Sequence, residues 1–495
     1  MSFTSVTYFL FVGISLLIYT IVPKRAKWCV LLGASAVYYV MAAGLRTLWL
    51  VAAILIVYGG GLLLGHLNDQ GKARRKAAAD KEEKKQIRKK YDAKKRAVVT
   101  VAVLGVFGLL IALKYVNFLG ESAYGIAGLF GSKSTYQPVQ ILLPLGISYY
   151  TLCAVSYVVD VYRGKYKPER NFFKLALFLS FFPQMTEGPI GKYEIMMPRL
   201  VEGHSFNFER DAQAVMRIFW GMFKKMVIAD RANLFVTGVF DNGDQAGSMV
   251  LLGTLLYTVQ IYCEFSGCMD IVCATGQLFG VEMQENFRRP IFSKTINEFW
   301  QRWHITLGAW IKEYVFFSVS LSKGLMNLSK HTRKKLNDYF ANLVPMTFAL
   351  FCVWFFNGIW HGASWKYVLY GLYYYILMMI GMYLRPVSDK LLHALHIAPE
   401  SKGFALFQMV RTFLIVNVGM MLFRQSLARI FTDFDGACLT NGTVLSLGND
   451  WQDFLIMGIG VLVVGIVEVL QEKGHTIRSE LARRPVVLRY AVFLA

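Results

Sequence analysis

Residues 346–384 read MTFALFCVWFFNGIWHGASWKYVLYGLYYYILMMIGMYL, and Lys366 is the only formal charge among these 39 residues. A helix rises about 1.5 Å per residue and bilayer hydrocarbon is about 30 Å thick, so the run is roughly twice what one crossing needs. It predicts two spans. Their junction falls at Asn357-Gly358-Ile359-Trp360-His361-Gly362-Ala363-Ser364-Trp365, where paired glycines and polar side chains permit a break. Non-helical backbone at that depth must face protein or a water-filled cavity rather than lipid. His361 therefore sits where a proton-exchanging group needs a reason, and an ionisable side chain in such a place is a functional candidate.

The same signal recurs along the chain. Of 495 residues, 55% are hydrophobic and 15% aromatic, and mean hydropathy is +0.42. That excludes an ordinary soluble enzyme and indicates an all-α polytopic membrane protein. Apolar runs fall near 6–22, 28–43, 47–65, 98–118, 139–159, 172–186, 215–239, 248–262, 271–281, 340–358, 365–384, 404–423 and 454–470. Several are short, so about 11–13 transmembrane or re-entrant helices are expected. The first run lacks a basic leader and a small-residue cleavage site before Pro23, and is expected to stay. The runs and the loops between them divide the chain into N-terminal helices at 1–70, a basic loop at 71–97, helices at 98–139, and further helices beyond, of which those at 386–495 are C-terminal.

Lys and Arg number 53 against 32 Asp and Glu, a net charge of +21. The excess is localised in a way that argues against nucleic acid as a partner. Residues 71–96 carry 13 basic and 4 acidic side chains and read as a solvated helical hairpin on anionic lipid headgroups. Lys24, Arg25 and Lys27 follow the first run, and Arg163, Lys165, Lys167 and Arg170 follow the fifth. Odd-numbered loops are the basic ones, which places them in the cytosol and the N-terminus outside.

Seven cysteines offer no disulfide framework; Cys153, Cys263, Cys268, Cys273 and Cys352 lie in or beside apolar runs. The pair His393 and His396 lacks a Cys or carboxylate at ligand spacing, so no metal site is expected. No phosphate loop, dinucleotide fingerprint or nucleophile elbow appears, and no bound cofactor is expected.

Between residues 180 and 370, charge, Gly, Pro and aromatic residues crowd into shortened apolar runs. Phe181 to Ile190 ends a span with Pro183 and Pro189, with Gln184 between them. Tyr257 to Asp270 places Glu264, Ser266 and Asp270 in apolar surroundings, with Ser266 and Asp270 one turn apart; the carboxylates either orient a base or pair with cations of a neighbouring helix. Asn286-Phe287-Arg288-Arg289-Pro290 precedes Asn297 to Tyr314, where Phe299, Trp303, Trp310 and Tyr314 recur at helical spacing. That spacing predicts one amphipathic helix at the interface, carrying Arg302 and a second imidazole, His304. Neutral imidazole, whose ordinary pKa is near working pH, suits deprotonation of a hydroxyl attacking a thioester. The second histidine then has three roles open to it: binding the acyl donor, stabilising the oxyanion, or fixing the first one's tautomer.

In their order along residues 140–385, five motifs resemble the membrane-bound O-acyltransferase superfamily, in its bacterial branch of alginate O-acetylation and teichoic-acid D-alanylation proteins. They are Ser180-Phe-Phe-Pro-Gln184 with Gly188-Pro189-Ile190, Phe265-Ser266-Gly267 with Asp270, Glu285-Asn286-Phe287, Phe299-Trp300-Gln301-Arg302-Trp303-His304, and Trp360-His361-Gly362-Ala363-Ser364-Trp365. The resemblance implies a ring of membrane helices around a central tunnel in the bacterial plasma membrane. It implies His361 as general base and His304 as second histidine, with Trp303, Arg302, Trp360, Asn357, Ser266, Asp270, Glu264, Gln184 and Asn286 lining or supporting the tunnel. The donor it implies is a cytosolic thioester, acetyl-CoA or an acyl carrier protein. The acceptor is a cell-surface polysaccharide, reached with an extracytoplasmic SGNH-like partner. D-alanyl transfer to teichoic acid is the nearest alternative, and a proton-coupled transporter is the alternative of another class. The chain departs from the family at Glu264 and at Cys268-Met269, where Asp and Tyr-Ser are usual, and at Lys312-Glu313-Tyr314, where Arg-Asp-Tyr is common. Relatives also continue through a final helix, whereas residues 485–495 are too few to span; the expectation is a truncated chain or a partner docked there.

Overall fold

The computed structural model describes residues 2–241, 247–425 and 443–485. Among them there is no β-strand, only an isolated antiparallel bridge between Phe287 and Trp303. In chain order the helices are α1 (Val6–Ile21), α2 (Lys27–Ala43), α3 (Thr47–Ala77), α4 (Lys81–Leu110), α5 (Val116–Leu129), α6 (Ile147–Arg163), α7 (Phe172–Ser180), α8 (Tyr193–Glu202), α9 (Phe208–Met222) and α10 (Asp230–Phe240). They continue as α11 (Ser248–Leu278), α12 (Ile296–Arg302), α13 (Ile305–Ile311), α14 (Phe317–Ser320), α15 (Lys323–Thr332), α16 (Asp338–His361), α17 (Trp365–Tyr383), α18 (Arg385–Ala394), α19 (Lys402–Arg424), α20 (Trp451–Glu472) and α21 (Ile477–Ala482). Wider π turns at Ile111–Tyr115, Phe223–Ala229 and Lys312–Phe316 join α4 to α5, α9 to α10 and α13 to α14.

Six helical stretches among the described residues are long and apolar enough to cross a membrane, seven if α17 and α18, bent by 56°, count as one. Lys24–Ala77 holds 54 residues and contains both α2 and α3, enough for two crossings, whereas Lys81–Leu129 holds 49 residues that begin with the charged segment. Val6–Ile21 and Phe172–Gln184 are shorter apolar helices. The chain is an all-α, multi-pass membrane protein. The segment 486–495, expected to end short of a final helix, lies outside the described residues.

The chain forms two compact units, one of residues 1–211 with 272–284, the other of 212–271 with 285–495. In the first, α6 is the axis: Tyr150, Leu152, Cys153, Ala154, Tyr157 and Val158 are buried almost completely. Val6, Leu10, Ile14, Leu17 and Ile21 on α1 stay exposed, as side chains against lipid should. Because lipid is as apolar as leucine, packing here depends on small residues and hydrogen bonds rather than on escape from water. Tyr8 donates to Thr275 Oγ1 at 3.1 Å and Tyr19 to the Phe279 carbonyl at 3.0 Å, fastening α1 to the last turns of α11. The predicted break after Ser180 is present. Its backbone is satisfied by neighbouring side chains: the Phe182 amide donates to Ser35 Oγ at 3.1 Å, the Gly191 amide to Tyr149 Oη at 3.3 Å, and Tyr149 in turn donates to the Pro189 carbonyl at 3.0 Å.

The basic segment is helical, as its Ala, Lys and Glu content predicts. The helix α3 runs unbroken to Ala77, and α4 starts at Lys81 with Asp80 capping the Glu83 amide. Both apolar runs thus continue without a helix break into the charged hairpin, whose tip is the three residues 78–80.

In the second unit, Phe235, Val239, Phe240 and Met249 pack with Tyr257, Phe299, Trp303, Val416 and Met420. The run 346–384 forms two helices, with residues 362–364 between them, as its length and glycines predict. These helices approach backbone to backbone: a Cβ on Gly358 would overlap the Tyr367 carbonyl, and one on Gly371 the Trp354 carbonyl. The predicted single amphipathic helix over 297–314 is instead two, α12 and α13, broken at Trp303 and His304. His304 has φ 47° and ψ 51°, a left-handed conformation that reverses the chain direction and ends the helix.

Candidate active site

All geometry of the site lies within the second unit. His361 is the last residue of α16, and Gly362 follows it in extended conformation. Its ring meets Phe423 edge-on at 5.2 Å, Tyr370 at 5.9 Å and Trp360 at 5.2 Å between centroids. Trp360 also meets His304 at 5.9 Å, and Phe265 of α11 closes the row at 4.9 Å from His304. Phe265, His304, Trp360, His361 and Phe423 therefore form a chain of edge-on ring contacts that holds the planes of both imidazoles.

His304 is buried, 7% exposed, and its Nδ1 has no hydrogen-bond partner among the described residues. Burial, and to a lesser degree the neighbouring His361, holds its imidazole far below the ordinary value, at about 3. It is neutral at working pH. Its left-handed backbone costs about 1–2 kcal/mol in a residue with a Cβ, so the surroundings must impose it. They do: the Arg288 amide donates to the Arg302 carbonyl at 2.8 Å, the Ile305 amide to the Asn286 carbonyl at 3.0 Å, and Phe287 bridges to Trp303. Asn286 Oδ1 also accepts the Thr306 amide at 3.0 Å and Thr306 Oγ1 at 2.7 Å, and Asn286 Nδ2 reaches Met269 Sδ at 3.1 Å.

Trp303 stacks on Phe299 at 5.5 Å and meets Tyr262 and Phe287 at 5.9 and 5.0 Å, so it anchors the turn. Asn357 lies one turn before His361, buried, with Oδ1 unsatisfied among the described residues. The structure brings His304, His361, Trp360 and Trp303 together through ring contacts or adjacency, with Asn286 bonded to the turn at His304 and Asn357 on the same helix as His361.

The carboxylates take the second of the two roles left open for them, pairing with cations. Asp270 accepts from Arg217 Nε at 2.7 Å and pairs with Lys224 Nζ at 2.7 Å, and Lys224 also donates to Ser266 Oγ at 2.9 Å. Arg217 further holds Glu285 through two bonds of 2.8 and 2.5 Å. Glu264 pairs with Lys225 at 2.8 Å. With Arg217 7% and Lys224 5% exposed, these are compensated internal charges that brace α11 against α9 and the π turn after it. Arg302 points away from the imidazoles: its guanidinium meets Glu298 at 2.8 Å and Glu472 at 2.9 Å. Gln184 belongs to the other unit, where it is fully buried and its amide atoms lack partners among the described residues.

Sequence reasoning missed Phe265 and Phe423 as walls, Thr306 as the partner of Asn286, and Arg217 and Lys224 as counter-ions. The last two were accessible from spacing, because two cations seven residues apart share a helix face in an otherwise apolar run. Among the described residues no group of three His, Cys, Asp or Glu converges as a metal site would require.

Comparison with known proteins identifies the family. Residues 169–332 match the model of the membrane-bound O-acyltransferase family, a span that contains His304 but stops before His361. A probable alginate O-acetylase of Azotobacter vinelandii is 31% identical over 422 residues, 85% of this chain and 74% of that protein. A peptidoglycan O-acetyltransferase of Helicobacter pylori is 29% identical over 316 residues, 58% of this chain and 56% of that one. A teichoic acid D-alanyltransferase of Bacillus subtilis is 26% identical over 302 residues, 58% and 70% respectively. With two imidazoles sharing one tryptophan at a membrane helix break, and with a relative of this identity and coverage, the chain belongs to the membrane-bound O-acyltransferase family and is a multi-pass membrane acyltransferase.

Proposed function

We propose that the protein moves an acetyl or similar small acyl group from a cytosolic thioester, acetyl-CoA in the first instance, toward a cell-surface polysaccharide. The observation that carries this reading is the pair His304 and His361, both in ring contact with Trp360. His361 takes the proton of the acceptor hydroxyl as its oxygen attacks the thioester carbonyl. Neutral His304 donates a hydrogen bond to the oxyanion that forms. Collapse breaks the carbon–sulfur bond, and the leaving thiolate takes the proton back from His361, so protons balance within the site. The family's central tunnel brings donor and acceptor to the pair from opposite faces, and an extracytoplasmic SGNH-like partner completes delivery to the polymer. Support for acetyl comes from the named activities of the Azotobacter and Helicobacter relatives.

His361→Ala is expected to reduce product acylation to background, a loss of at least about 100-fold, while the protein still inserts and elutes as one species in detergent. Unchanged acylation would remove His361 from the mechanism. Incubation with labelled acetyl-CoA and, separately, with a D-alanyl carrier protein identifies the donor, since only the true thioester is cleaved. Uptake driven by a proton gradient with neither thioester consumed would replace acyl transfer by transport.

A further inference from the structure

A helix begins with amide groups that have no intrahelical acceptor, and the residue before the first turn ordinarily supplies one from its own side chain. At α13 that residue is His304, whose side chain makes no such bond. The acceptors come from a segment earlier in the chain: the Asn286 carbonyl takes the Ile305 amide at 3.0 Å and Asn286 Oδ1 takes the Thr306 amide at 3.0 Å. Asn286 therefore caps α13 from outside it. That releases the imidazole of His304 from capping and leaves it between Phe265 and Trp360. The Thr306 hydroxyl donates to the same Oδ1 at 2.7 Å and fixes the carboxamide's orientation, while Nδ2 rests on Met269 Sδ of α11 at 3.1 Å. Asn286 is 1% exposed, so water cannot replace it as acceptor.

We infer that Asn286 is the positioning residue of the site: by capping α13 in place of His304 it holds that histidine in its left-handed turn and aims the ring at the reacting centre. The inference rests on the acyl-transfer reading for its kinetic consequence and on geometry alone for its structural one. Asn286→Ala removes Oδ1, whereas Asn286→Asp keeps an acceptor for Thr306. Thr306→Val keeps the amide bond and removes only the orienting hydroxyl.

The structural consequence is tested on the purified full chain in detergent with diethyl pyrocarbonate, which modifies accessible neutral imidazole. Labelling of His304 is read by peptide mass spectrometry against exposed His393. Asn286→Ala is expected to raise relative labelling of His304 by at least about tenfold, the scale on which losing a buried hydrogen bond shifts a local opening equilibrium. Asn286→Asp is expected to match wild type, and Thr306→Val to fall between. In turnover assays Asn286→Ala is expected to lower kcat by about 10–100-fold with KM moved less than about threefold, the signature of a misaimed group rather than lost binding. Labelling that stays at the wild-type level, or labelling that rises without loss of kcat, overturns the inference. If wild type itself transfers no acyl group, the acyl-transfer reading fails and labelling still decides whether Asn286 holds the turn. A thermal melt separates these outcomes from global unfolding: should Asn286→Ala fail to fold, the ordering of Thr306→Val between wild type and Asn286→Asp on one side and free labelling on the other decides the matter, and equality of Thr306→Val with wild type in both assays overturns it.

Discussion

His304 carries two separable properties, a backbone that turns the chain and a ring that faces Trp360. Asparagine tolerates the left-handed region better than most residues because its short polar side chain bonds locally. His304→Asn is therefore expected to keep the thermal midpoint close to wild type while turnover falls steeply, whereas His304→Val, β-branched, should lower the midpoint as well. A midpoint equally low in both variants would show that the ring, not the turn, stabilises the site. The depressed pKa adds a pH dependence whose sign is fixed. Below about pH 6.5 the unfolded chain protonates this histidine, while the folded one stays neutral until about pH 3. The unfolded state binds more protons across that window, so the stability associated with the buried neutral ring is intact above it and declines as pH falls through it. Thermal melts at pH 7.5 and pH 5 should show a larger drop for wild type than for His304→Asn, and equal drops would contradict a buried neutral imidazole.

At the scale of elements, the break at 362–364 was legible in sequence and the break at 303–304 was not, for a physical reason. The first is local: a 39-residue apolar run exceeds one crossing, and Gly358, Gly362 and Ser364 mark where it must part. The second is imposed from a distance, by pairing of residues 286–288 with 302–306, while the aromatic spacing from Phe299 to Tyr314 suits one uninterrupted helix. A nonlocal clamp leaves no trace in helical periodicity. The glycines of α16 and α17 make the local break testable. With Gly358 and Gly371 set against the carbonyls of Tyr367 and Trp354, an added methyl must force the helices apart just below His361. Gly371→Ala is expected to lower both thermal midpoint and turnover, while Gly381→Ala, with open space around it, should leave both unchanged. Equal behaviour of the two variants would mean that close approach of α16 and α17 does not set the position of His361.

For the whole molecule the question is which face of the membrane each basic loop lies on, and the charged hairpin is the place to read it. From residue 66, where the apolar run ends, α3 continues to Ala77, a projection of about 18 Å at 1.5 Å per residue. The 13 basic residues of 71–96 lie on this extension and on the start of α4. Their density is the ground for the proposed orientation, because basic loops tend to be retained on the cytosolic side. A thiol-reactive, membrane-impermeant maleimide applied to the Ala79→Cys variant, between α3 and α4, is expected to react at position 79 in inside-out vesicles and not in right-side-out ones. The readout is peptide mass spectrometry, since Cys29 is exposed as well. Two further loops share the hairpin's side if successive helices alternate direction, those at Lys24–Ala26 and after Arg163, and both carry basic residues. Labelling from the outer face would invert the assignment of all three loops together.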